Sequence, residues 1–404
     1  MTTAWTNWSG SITASPQQLS TPAGEAELIA LVARANRDGL TIRVAGAGHS
    51  FVPLCASDGL LLSLDGLQGV VKTDRSALRA TVWAGSKIHQ LGEPLLAAGM
   101  ALENQGDIDR QAIAGAISTG THGTGPGIGS MSTQVAGLRI ITASGEIVEC
   151  SAEREPDIFQ SAKLSLGTFG VLSQITLRLL PAYRLHERTW VAAFDECMSR
   201  LDEHIAATRH FEFFWSPRED ACAMKSLQPT TTETIEVPPA APDAPGRLGR
   251  YLKSERVDWS YRIFPSERTV KFNECEFSLP AAHGPDAVRE IRALMLGKHR
   301  DVLWPIEYRT LGADDIDLGT AQGRATVAIS VHQAAELPYQ PFFAGVEAIF
   351  RNHHGRPHWG KWHSHTAREL RALYPRWDHF LSVRARLDPQ GRFLNPYLRR
   401  LLLD

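Results

Sequence analysis

The chain has 404 residues, more than one hydrophobic core usually fills, so we expect two domains. Hydrophobic residues make up 43% and charged residues 21%, which is typical of a globular protein in water. The formal net charge of −2 gives no electrostatic reason to expect binding to nucleic acid or to an anionic membrane surface.

The cysteines and the N-terminus indicate a cytoplasmic protein. The five cysteines are widely spaced and form no Cys-x-x-Cys pair, so we expect buried free thiols rather than disulfides or a zinc site. The first residues lack the basic start and the apolar core of a signal peptide. No stretch is apolar over the roughly 20 residues that a membrane-spanning helix needs, so we expect no membrane span.

The first half of the chain alternates short strands with amphipathic helices. Its predicted helices lie at 24–38, 87–98 and 113–119, and its predicted strands at 40–44, 60–64, 70–72, 78–84, 135–142, 146–151 and 171–181. Thr142-Ala-Ser-Gly145 is a plausible hairpin turn. A new strand pattern begins after Pro181, and we place a domain boundary near residue 182.

The second half has longer strands and helices. Its predicted strands lie at 185–194, 211–215, 271–279 and 326–332, and its predicted helices at 195–207, 283–298 and 342–352. Residues 228–246 are rich in proline and threonine and predict an irregular, exposed loop. The tail after 367 reads as two helices and a turn that lack partners of their own. We therefore expect domains at 1–182 and 183–366, with 367–404 packing back onto the first.

Two glycine runs in the first half each carry a histidine. The first, Val44-Ala45-Gly46-Ala47-Gly48-His49-Ser50, follows a predicted strand, but Phe51 replaces the third glycine of a G-x-G-x-x-G dinucleotide pattern. Its backbone amides could still cradle a pyrophosphate, and an ordinary strand-to-helix turn is an equal alternative. The second run, Ala114-Gly115-Ala-Ile-Ser118-Thr119-Gly120-Thr121-His122-Gly123, supplies small side chains and hydroxyls that suit close contact with a flat ring. A third run, Ser165-Leu-Gly-Thr-Phe-Gly170-Val171, puts two more glycines before a strand.

These three runs, together with Trp304-Pro-Ile-Glu307-Tyr-Arg309, His358-Trp-Gly-Lys361 and Asp388-Pro-x-Gly-x-Phe393-x-Asn395, give the chain a family resemblance. It resembles the vanillyl-alcohol oxidase superfamily of flavoproteins, and within it the aldonolactone and alditol oxidases. The resemblance covers nearly the whole chain. It implies an α+β fold with two domains: a PCMH-type FAD-binding domain and an α+β cap that covers the substrate.

The resemblance also implies how FAD is held. It makes His49 the residue joined covalently to the flavin 8α carbon, and a neutral imidazole is a competent nucleophile for that bond. The alternative is a loop histidine bonded to a backbone carbonyl. No cysteine lies in Gln105–Asp109, where some relatives form a second bond, so we predict a single link. The predicted FAD-binding residues are Val44, Ala45, Gly46, Ala47, Gly48, His49, Ser50, Gly106, Ala114, Gly115, Ser118, Gly120, Thr121, His122, Gly123, Gly170 and Val171.

The implied reaction is oxidation of an alcohol carbon, with hydride transfer to flavin N5. Lys361 is the predicted stabiliser of negative charge on the flavin. Glu307 and Arg309 alternate on a predicted strand, so both can face one cavity, where they would bind the substrate hydroxyl. An ordinary ion pair along the strand is the alternative for these two residues. His358 is a further catalytic candidate near the substrate or the flavin.

Other polar residues leave more than one interpretation open. His358, His363 and His365 invite a metal site, but no carboxylate accompanies them and the family uses no metal, so we expect none. His332 is either a cavity residue or a core histidine with satisfied hydrogen bonds. Asp107 stands where the alditol oxidases have a serine that helps to hold the polyol, which puts the exact substrate in doubt.

Gly106 favours oxygen as the electron acceptor. In the family a methyl side chain at this position can hinder O2, and glycine leaves the path open. We therefore expect an oxidase that converts O2 to hydrogen peroxide while acting on an aldono-1,4-lactone, alditol or related polyol, as a monomer or small homo-oligomer. One alternative is a dehydrogenase of the same fold that passes electrons to a quinone or cytochrome. Another is a non-catalytic protein that contains FAD and binds sugar.

Overall fold

The computed structural model describes residues 4–235, 247–253, 255–266 and 270–404. The α-helices of this part are α1 (Glu25–Arg37), α2 (Ile88–Ala97), α3 (Ile113–Thr119), α4 (Pro156–Ala162), α5 (Phe194–Ser199), α6 (Leu201–Ala207), α7 (Ser260–Ile263), α8 (Gly284–Lys298), α9 (Gln340–Asn352), α10 (Ala367–Leu373), α11 (Trp377–Leu387) and α12 (Pro396–Leu403). Short 3-10 helices lie at Met131–Gln134, Leu248–Tyr251 and Ala281–His283. Among the described residues, no helix combines the length and apolar character needed to cross a membrane.

The strands of the described part alternate with these helices along the chain. They are β1 (Trp5–Thr6), β2 (Thr13–Ala14), β3 (Gln18–Ser20), β4 (Ile42–Ala45), β5 (Leu60–Ser63), β6 (Val70–Asp74), β7 (Arg79–Trp83), β8 (Met100–Ala101), β9 (Val135–Ile141), β10 (Ile147–Ser151), β11 (Val171–Arg178), β12 (Leu180–Pro181), β13 (Arg184–Ala193), β14 (His210–Ser216), β15 (Ala221–Thr230), β16 (Arg256–Trp259), β17 (Phe272–Pro280), β18 (Ile306–Leu311), β19 (Thr326–Ala334) and β20 (Arg356–Pro357).

Two sheets and the first helices form the N-terminal part. A parallel sheet has the order β3-β5-β4, and an antiparallel sheet has the order β10-β9-β11-β7-β6. The predicted hairpin between β9 and β10 is confirmed, with Ile141 opposite Ile147 and Gly145 at φ +88°. Helix α1 buries Leu28, Val32 and Ala35, which lie on one face as the 3/4 spacing predicts.

The second part is built on one antiparallel sheet of eight strands, in the order β16-β13-β15-β14-β18-β19-β17-β20. Side chains on a strand alternate between faces, and here the two faces differ in chemistry. One face is apolar and packs in a common core with residues of α5, α8 and α9, including Phe213, Phe277 and Ile329. The other face carries charged residues such as Glu307 and Arg309. A sheet of this kind leaves a polar wall available for a ligand.

The C-terminal tail shares the hydrophobic core of the N-terminal part. Leu370, Phe380 and Leu398 belong to the same cluster as Leu28 and Ile42. Helix α12 continues beyond the predicted tail elements, and it begins where the Asn395 side chain accepts a hydrogen bond from the Leu398 amide at 2.8 Å. These contacts agree with a tail that packs back. The domain bounds 1–182, 183–366 and 367–404 stay a prediction.

Several elements differ from the predicted ones. The predicted helix 195–207 is interrupted at Arg200, whose φ of −116° leaves the helical region, so it forms α5 and α6. The predicted irregular loop at 228–246 is wrong for residues 228–230, because β15 extends to Thr230. Pro229 lies one residue before the end of β15 and beyond Leu227, the last residue of β15 that pairs with β14, and a missing amide is best tolerated at such a position. Residues 236–246 lie outside the described residues.

Candidate active site

A cleft lies between the glycine runs of the N-terminal part and the charged face of the eight-stranded sheet. Its empty volume is about 1470 Å³, counting the open space at its mouth. The predicted residues that line it are Val44, Ala45, Gly46, Ala47, Gly48, His49, Ser50, Gly106, Asp107, Ala114, Gly115, Ser118, Thr121, His122, Gly170, Glu307, Arg309, His332, His358 and Lys361.

The glycines of the cleft wall fit the demands of a large, flat cofactor. A Cβ added to Gly46 would lie 3.0 Å from the Cβ of Ala112, so the loop and the start of α3 approach as closely as they can. Gly48 has a φ of +71°, which side chains rarely tolerate. A Cβ on Gly115 would meet nothing within 4 Å, so the space before this part of α3 is open. The small side chains thus form a cradle that larger ones would fill.

Three predicted FAD-binding residues stand behind this wall rather than on it. Gly120 ends α3 in the left-handed region, at φ +81°. A Cβ on Gly123 would lie 2.3 Å from Oδ1 of Asn104, and Val171 is buried in β11. The structure therefore gives these residues a role in shaping the loops, and direct contact with FAD stays a prediction for them.

His49 is a neutral, largely buried imidazole on the cleft wall. Burial, reinforced by the charge of Lys361, lowers the pKa of His49 to about 4. Its Nδ1 is buried and has no hydrogen-bond partner within the described ranges. The alternative of a loop histidine bonded to a backbone carbonyl therefore has no support at Nδ1. A neutral ring with a free nitrogen is what nucleophilic attachment requires.

Arg309 is the centre of an ion-pair cluster on the charged face. Its Nη2 lies 2.7 Å from Oε2 of Glu276, and its Nε lies 3.5 Å from Oε1 of Glu307. Oε1 of Glu276 lies 2.8 Å from Nε2 of His122, and the Ser330 hydroxyl donates to Oε2 of Glu307 at 3.2 Å. Burial opposes ionisation of Glu276, but His122 and Arg309 hold its pKa well below the usual range. The cluster keeps a guanidinium and two carboxylates fixed at the cleft.

Lys361 belongs to a second cluster on the same wall. Its ammonium contacts the Glu274 carboxylate and lies 5.1 Å from the centre of the Phe51 ring. Nε2 of His332 lies 3.6 Å from Oε1 of Glu274, and its Nδ1 lies 3.2 Å from the Pro305 carbonyl. Burial opposes ionisation of Glu274, but Lys361 and His332 lower its pKa to about 2. His332 therefore combines the two interpretations of its sequence: it lines the cleft, and both its ring nitrogens have polar partners.

Asp107 is held at the cleft by polar residues of the second part. The Ser266 hydroxyl donates to its Oδ2 at 3.0 Å, and the Lys225 ammonium lies 3.9 Å from its Oδ1. Lys225 also lies 2.8 Å from Oε1 of Glu212, whose pKa is raised to about 7 by burial. Asp107 therefore presents a carboxylate to the cleft in an orientation that these contacts restrict.

The histidines near Lys361 do not form one cluster. His358 lines the cleft, and burial lowers its pKa to about 3. His363 is buried, and both its ring nitrogens lack a hydrogen-bond partner in the part of the chain that is described. His365 Nδ1 lies 3.0 Å from Oε1 of Glu347, so a carboxylate does accompany this group, contrary to the sequence-based expectation.

Two other groups of the described residues bring three possible metal ligands within 4.8 Å of one another. They are His122, Glu276 and His358, and Glu274, Glu307 and His332. The carboxylates of Glu276 and Glu274 already face the cations of Arg309 and Lys361, so neither group needs a divalent ion to neutralise it. The expectation that the protein uses no metal stays a prediction.

The sequence-based prediction missed the partners of the site residues. Glu274 and Glu276 line the cleft from β17, and Glu212 and Lys225 stand beside Asp107 on β14 and β15. A signal existed for the first pair, because Asn273-Glu-Cys-Glu276 places two carboxylates on one face of a predicted strand. No such signal existed for Lys225, since β15 was not predicted.

The buried histidines should make the fold sensitive to mild acid. Burial lowers the pKa values of four of them, to about 4 for His49 and His210 and about 3 for His358 and His363. Below pH 6.5 the histidines of the unfolded chain bind protons that the folded protein excludes. Each histidine therefore lowers the free energy of unfolding by about 1.4 kcal/mol for every unit by which the pH is decreased. The raised pKa values of Glu212 and Asp314, about 7 and 6, oppose this trend. We expect a net loss of about 4 kcal/mol from pH 7 to 5, measurable by denaturant unfolding.

His363→Leu is the control for this pH dependence. The variant removes one buried histidine whose nitrogens have no partner among the described residues, so it leaves no hydrogen bond broken. Its stability should fall less steeply, by about 2 kcal/mol less between pH 7 and 5. An unchanged slope would show that His363 is not kept neutral by burial.

Comparison with known proteins agrees with the geometry of the cleft. Residues 16–151 match the model of an FAD binding domain, and residues 175–245 and 246–401 match the D-arabinono-1,4-lactone oxidase model, which covers more than half of the chain. An L-gulono-1,4-lactone dehydrogenase of Mycobacterium tuberculosis is 37% identical over 100% of both chains. An alditol oxidase of a Streptomyces species is 31% identical, again over 100% of both.

The fold also agrees with a solved structure. Cholesterol oxidase from B. sterolicum matches with a TM-score of 0.85, over 99% of this chain and 96% of that chain, at 16% identity. The predicted α+β fold with a PCMH-type FAD-binding domain is thereby confirmed. With the family model matching most of the chain and two relatives more than 30% identical over its full length, the chain belongs to the D-arabinono-1,4-lactone oxidase family of FAD-dependent oxidoreductases, within the vanillyl-alcohol oxidase flavoproteins.

Proposed function

We propose that this protein is an FAD-dependent oxidase of a sugar-derived alcohol, either an aldono-1,4-lactone or an alditol, with O2 as the electron acceptor. The observation that carries the proposal is that Glu307, Arg309 and Lys361 line the same cleft as His49. These residues supply an acceptor, a donor and a cation beside a glycine-rich cradle that suits FAD. Ion pairs fix the two cations against three carboxylates, those of Glu274, Glu276 and Glu307, so the charges are in place without a ligand.

Each residue of the charged face would have a separate role in alcohol oxidation. FAD, when bound, would supply the hydride acceptor. Arg309 would donate to the substrate hydroxyl and lower its pKa, and Glu307 would accept a hydrogen bond from it. Lys361, held by Glu274, would place a positive charge where the cofactor gains negative charge. His358 has its pKa lowered to about 3 by burial, so it would offer a neutral ring to substrate or cofactor.

The wall composition favours a neutral polyhydroxy substrate. Asp107, Glu274, Glu276 and Glu307 all line the cleft and are acceptors for hydroxyl groups. A free sugar acid bound beside Asp107 would bring a further carboxylate close to it, which like-charge repulsion disfavours. His332 would add a further polar contact beside Glu274. We infer that the lactone or the alditol binds in preference to the corresponding acid.

Gly106 supports O2 as the acceptor. It lines the cleft and has no side chain, so the space beside Thr121, where an added Cβ would lie 2.9 Å from Cγ2, is left free of a methyl group that could hinder O2. A dehydrogenase that passes electrons to a quinone or cytochrome is the second candidate. It is favoured by the Mycobacterium tuberculosis relative, which is named a dehydrogenase. A cytoplasmic location and a monomeric or small homo-oligomeric state remain part of the proposal.

One experiment tests substrate class and acceptor together. Anaerobic protein is mixed with each member of a panel of aldono-1,4-lactones, alditols and sugar acids, and the loss of flavin absorbance is followed. Air is then admitted, and flavin recovery and hydrogen peroxide are measured. We expect bleaching by at least one lactone or alditol but by no acid, and stoichiometric peroxide on reoxidation. If the bleached flavin is reoxidised more slowly by O2 than by a quinone, the protein is a dehydrogenase. If no lactone or alditol bleaches the flavin, the proposed substrate class is contradicted.

We further propose that FAD is attached to this chain through His49. Acid-precipitated protein should then keep its flavin in the pellet, whereas His49→Ala should release it to the supernatant. His186→Ala, which changes a partly exposed histidine outside the cleft, should behave like the unaltered protein. Release of flavin from the unaltered protein by acid would contradict the link and leave non-covalent FAD binding intact.

A further inference from the structure

The N-terminal hairpin is bonded to the loop that carries His49. Strands β1 and β2 pair, and the Asn7 side chain closes the turn between them by accepting the amides of Gly10 and Ile12, each at 3.0 Å. The Trp8 amide donates to the Gly48 carbonyl at 2.9 Å, and Nδ2 of Asn7 donates to the Ser50 carbonyl at 2.9 Å. The backbone on both sides of His49 is thus held by one hairpin.

The Trp8 side chain extends this contact to the imidazole itself. The centres of the Trp8 and His49 rings lie 4.9 Å apart, with the planes at 35°. The Trp8 ring also lies 5.2 Å from the Phe272 ring, centre to centre, with the planes at 72°, and Phe272 lines the cleft from β17. A Cβ on Gly48 would lie 3.1 Å from the Trp8 amide nitrogen, so glycine is needed for this approach. Trp8 is therefore fixed between the second part of the protein and the His49 ring.

Packing must orient the His49 ring, because polar contacts do not do so at Nδ1. That atom is buried and has no hydrogen-bond partner in the described ranges. Catalytic histidines usually have one nitrogen held by a carboxylate or a carbonyl, which fixes the direction of the other. The Trp8 ring, 4.9 Å from the His49 ring centre to centre, is close enough to restrict its rotation.

We propose that Trp8 is a positioning residue that orients His49 for covalent attachment of FAD. The inference rests on the proposed His49 link. In that reaction a bond forms between an imidazole nitrogen and the flavin 8α carbon, and one hydrogen leaves each partner. The two hydrogens leave as two protons and two electrons, which the flavin takes up and O2 then removes as H2O2. Orientation matters because the nitrogen lone pair must point at the carbon, and misplacement by about 1 Å can slow a reaction roughly 100-fold.

The test compares three variants of the full-length protein. Trp8→Leu removes the ring that faces His49, Trp8→Phe keeps an aromatic ring, and Trp5→Leu changes another tryptophan of the same hairpin as a matched control. Each purified protein is incubated with FAD, and flavin is measured in the acid pellet and in the supernatant over time. We expect Trp8→Leu to form pellet-bound flavin about tenfold more slowly or worse, with unchanged total FAD. Trp8→Phe should recover much of the rate, and Trp5→Leu should match the unaltered protein.

The outcomes separate this inference from the link on which it rests. If the unaltered protein attaches flavin and Trp8→Leu attaches it at the same rate, Trp8 has no positioning role although the His49 link stands. If Trp8→Leu loses total FAD in proportion to attached FAD, the residue only supports the fold, and the inference is overturned. If the unaltered protein releases all its flavin in acid, the link and the role of Trp8 both fall, while the oxidase activity is judged by its own assay.

Discussion

Replacing Arg309 with lysine should lower kcat/KM for the lactone or alditol substrate by about 10²- to 10³-fold. Arg309 contacts Glu276 through Nη2, approaches Glu307 through Nε and donates from Nη1 to the His122 carbonyl at 3.4 Å. All three nitrogens of its guanidinium therefore have a polar neighbour. A lysine ammonium can replace the charge but not this planar arrangement of donors. The group that we assign to the substrate hydroxyl would then be lost or displaced. Steady-state kinetics with peroxide detection measures the effect.

Arg324→Lys is the matched control for this substitution. Arg324 is partly buried in the second part, and it donates to the carbonyls of Ser278 and His354 outside the cleft. It should change the stability slightly and kcat/KM less than about twofold. The ion-pair alternative makes a different prediction for Arg309→Lys, namely a lower unfolding temperature with kcat/KM close to normal. That result would remove Arg309 from the catalytic residues and leave it as a bridge between β18 and β17.

The local elements of this chain could be predicted because local spacing determines them. The small-residue helix 113–119 has the predicted bounds, and the strand with Glu307 and Arg309 exists where the alternation placed it. The motifs also placed most predicted FAD-binding residues on one wall, since they come from the end of β4, from α3 and from loops in a single part of the fold.

The partners of these residues depended on long-range pairing, which periodicity does not encode. Glu276 reaches Arg309 only because β17 and β18 both pair with β19, and His122 meets Glu276 across 154 positions of the chain. Lys225 could not be connected to Asp107, because β15, with its small residues, its lysine and its proline, does not show the alternation that predicts a strand. The contact of Trp8 with His49 likewise depends on a two-stranded hairpin too short to predict.

Replacing Lys361 with methionine should reduce kcat by about 100-fold or more and should also destabilise the fold. The first effect follows if the ammonium stabilises charge on the cofactor. The second follows because Glu274 would remain buried with His332 at 3.6 Å as its nearest charge partner, and removal of one member of a buried ion pair typically costs about 3–5 kcal/mol. Because both effects lower activity in a simple assay, kcat must be measured at a temperature where the variant remains folded.

The double variant Lys361→Met with Glu274→Gln separates these two effects. It removes the unpaired carboxylate, so most of the lost unfolding free energy should return, while the ammonium is still missing. If kcat stays about 100-fold low in the double variant, the charge of Lys361 acts on the reaction itself. If kcat recovers together with stability, Lys361 serves only to neutralise Glu274. A protein that merely binds sugar around a structural FAD would give a third pattern, with sugar affinity unchanged in both variants and no turnover in any.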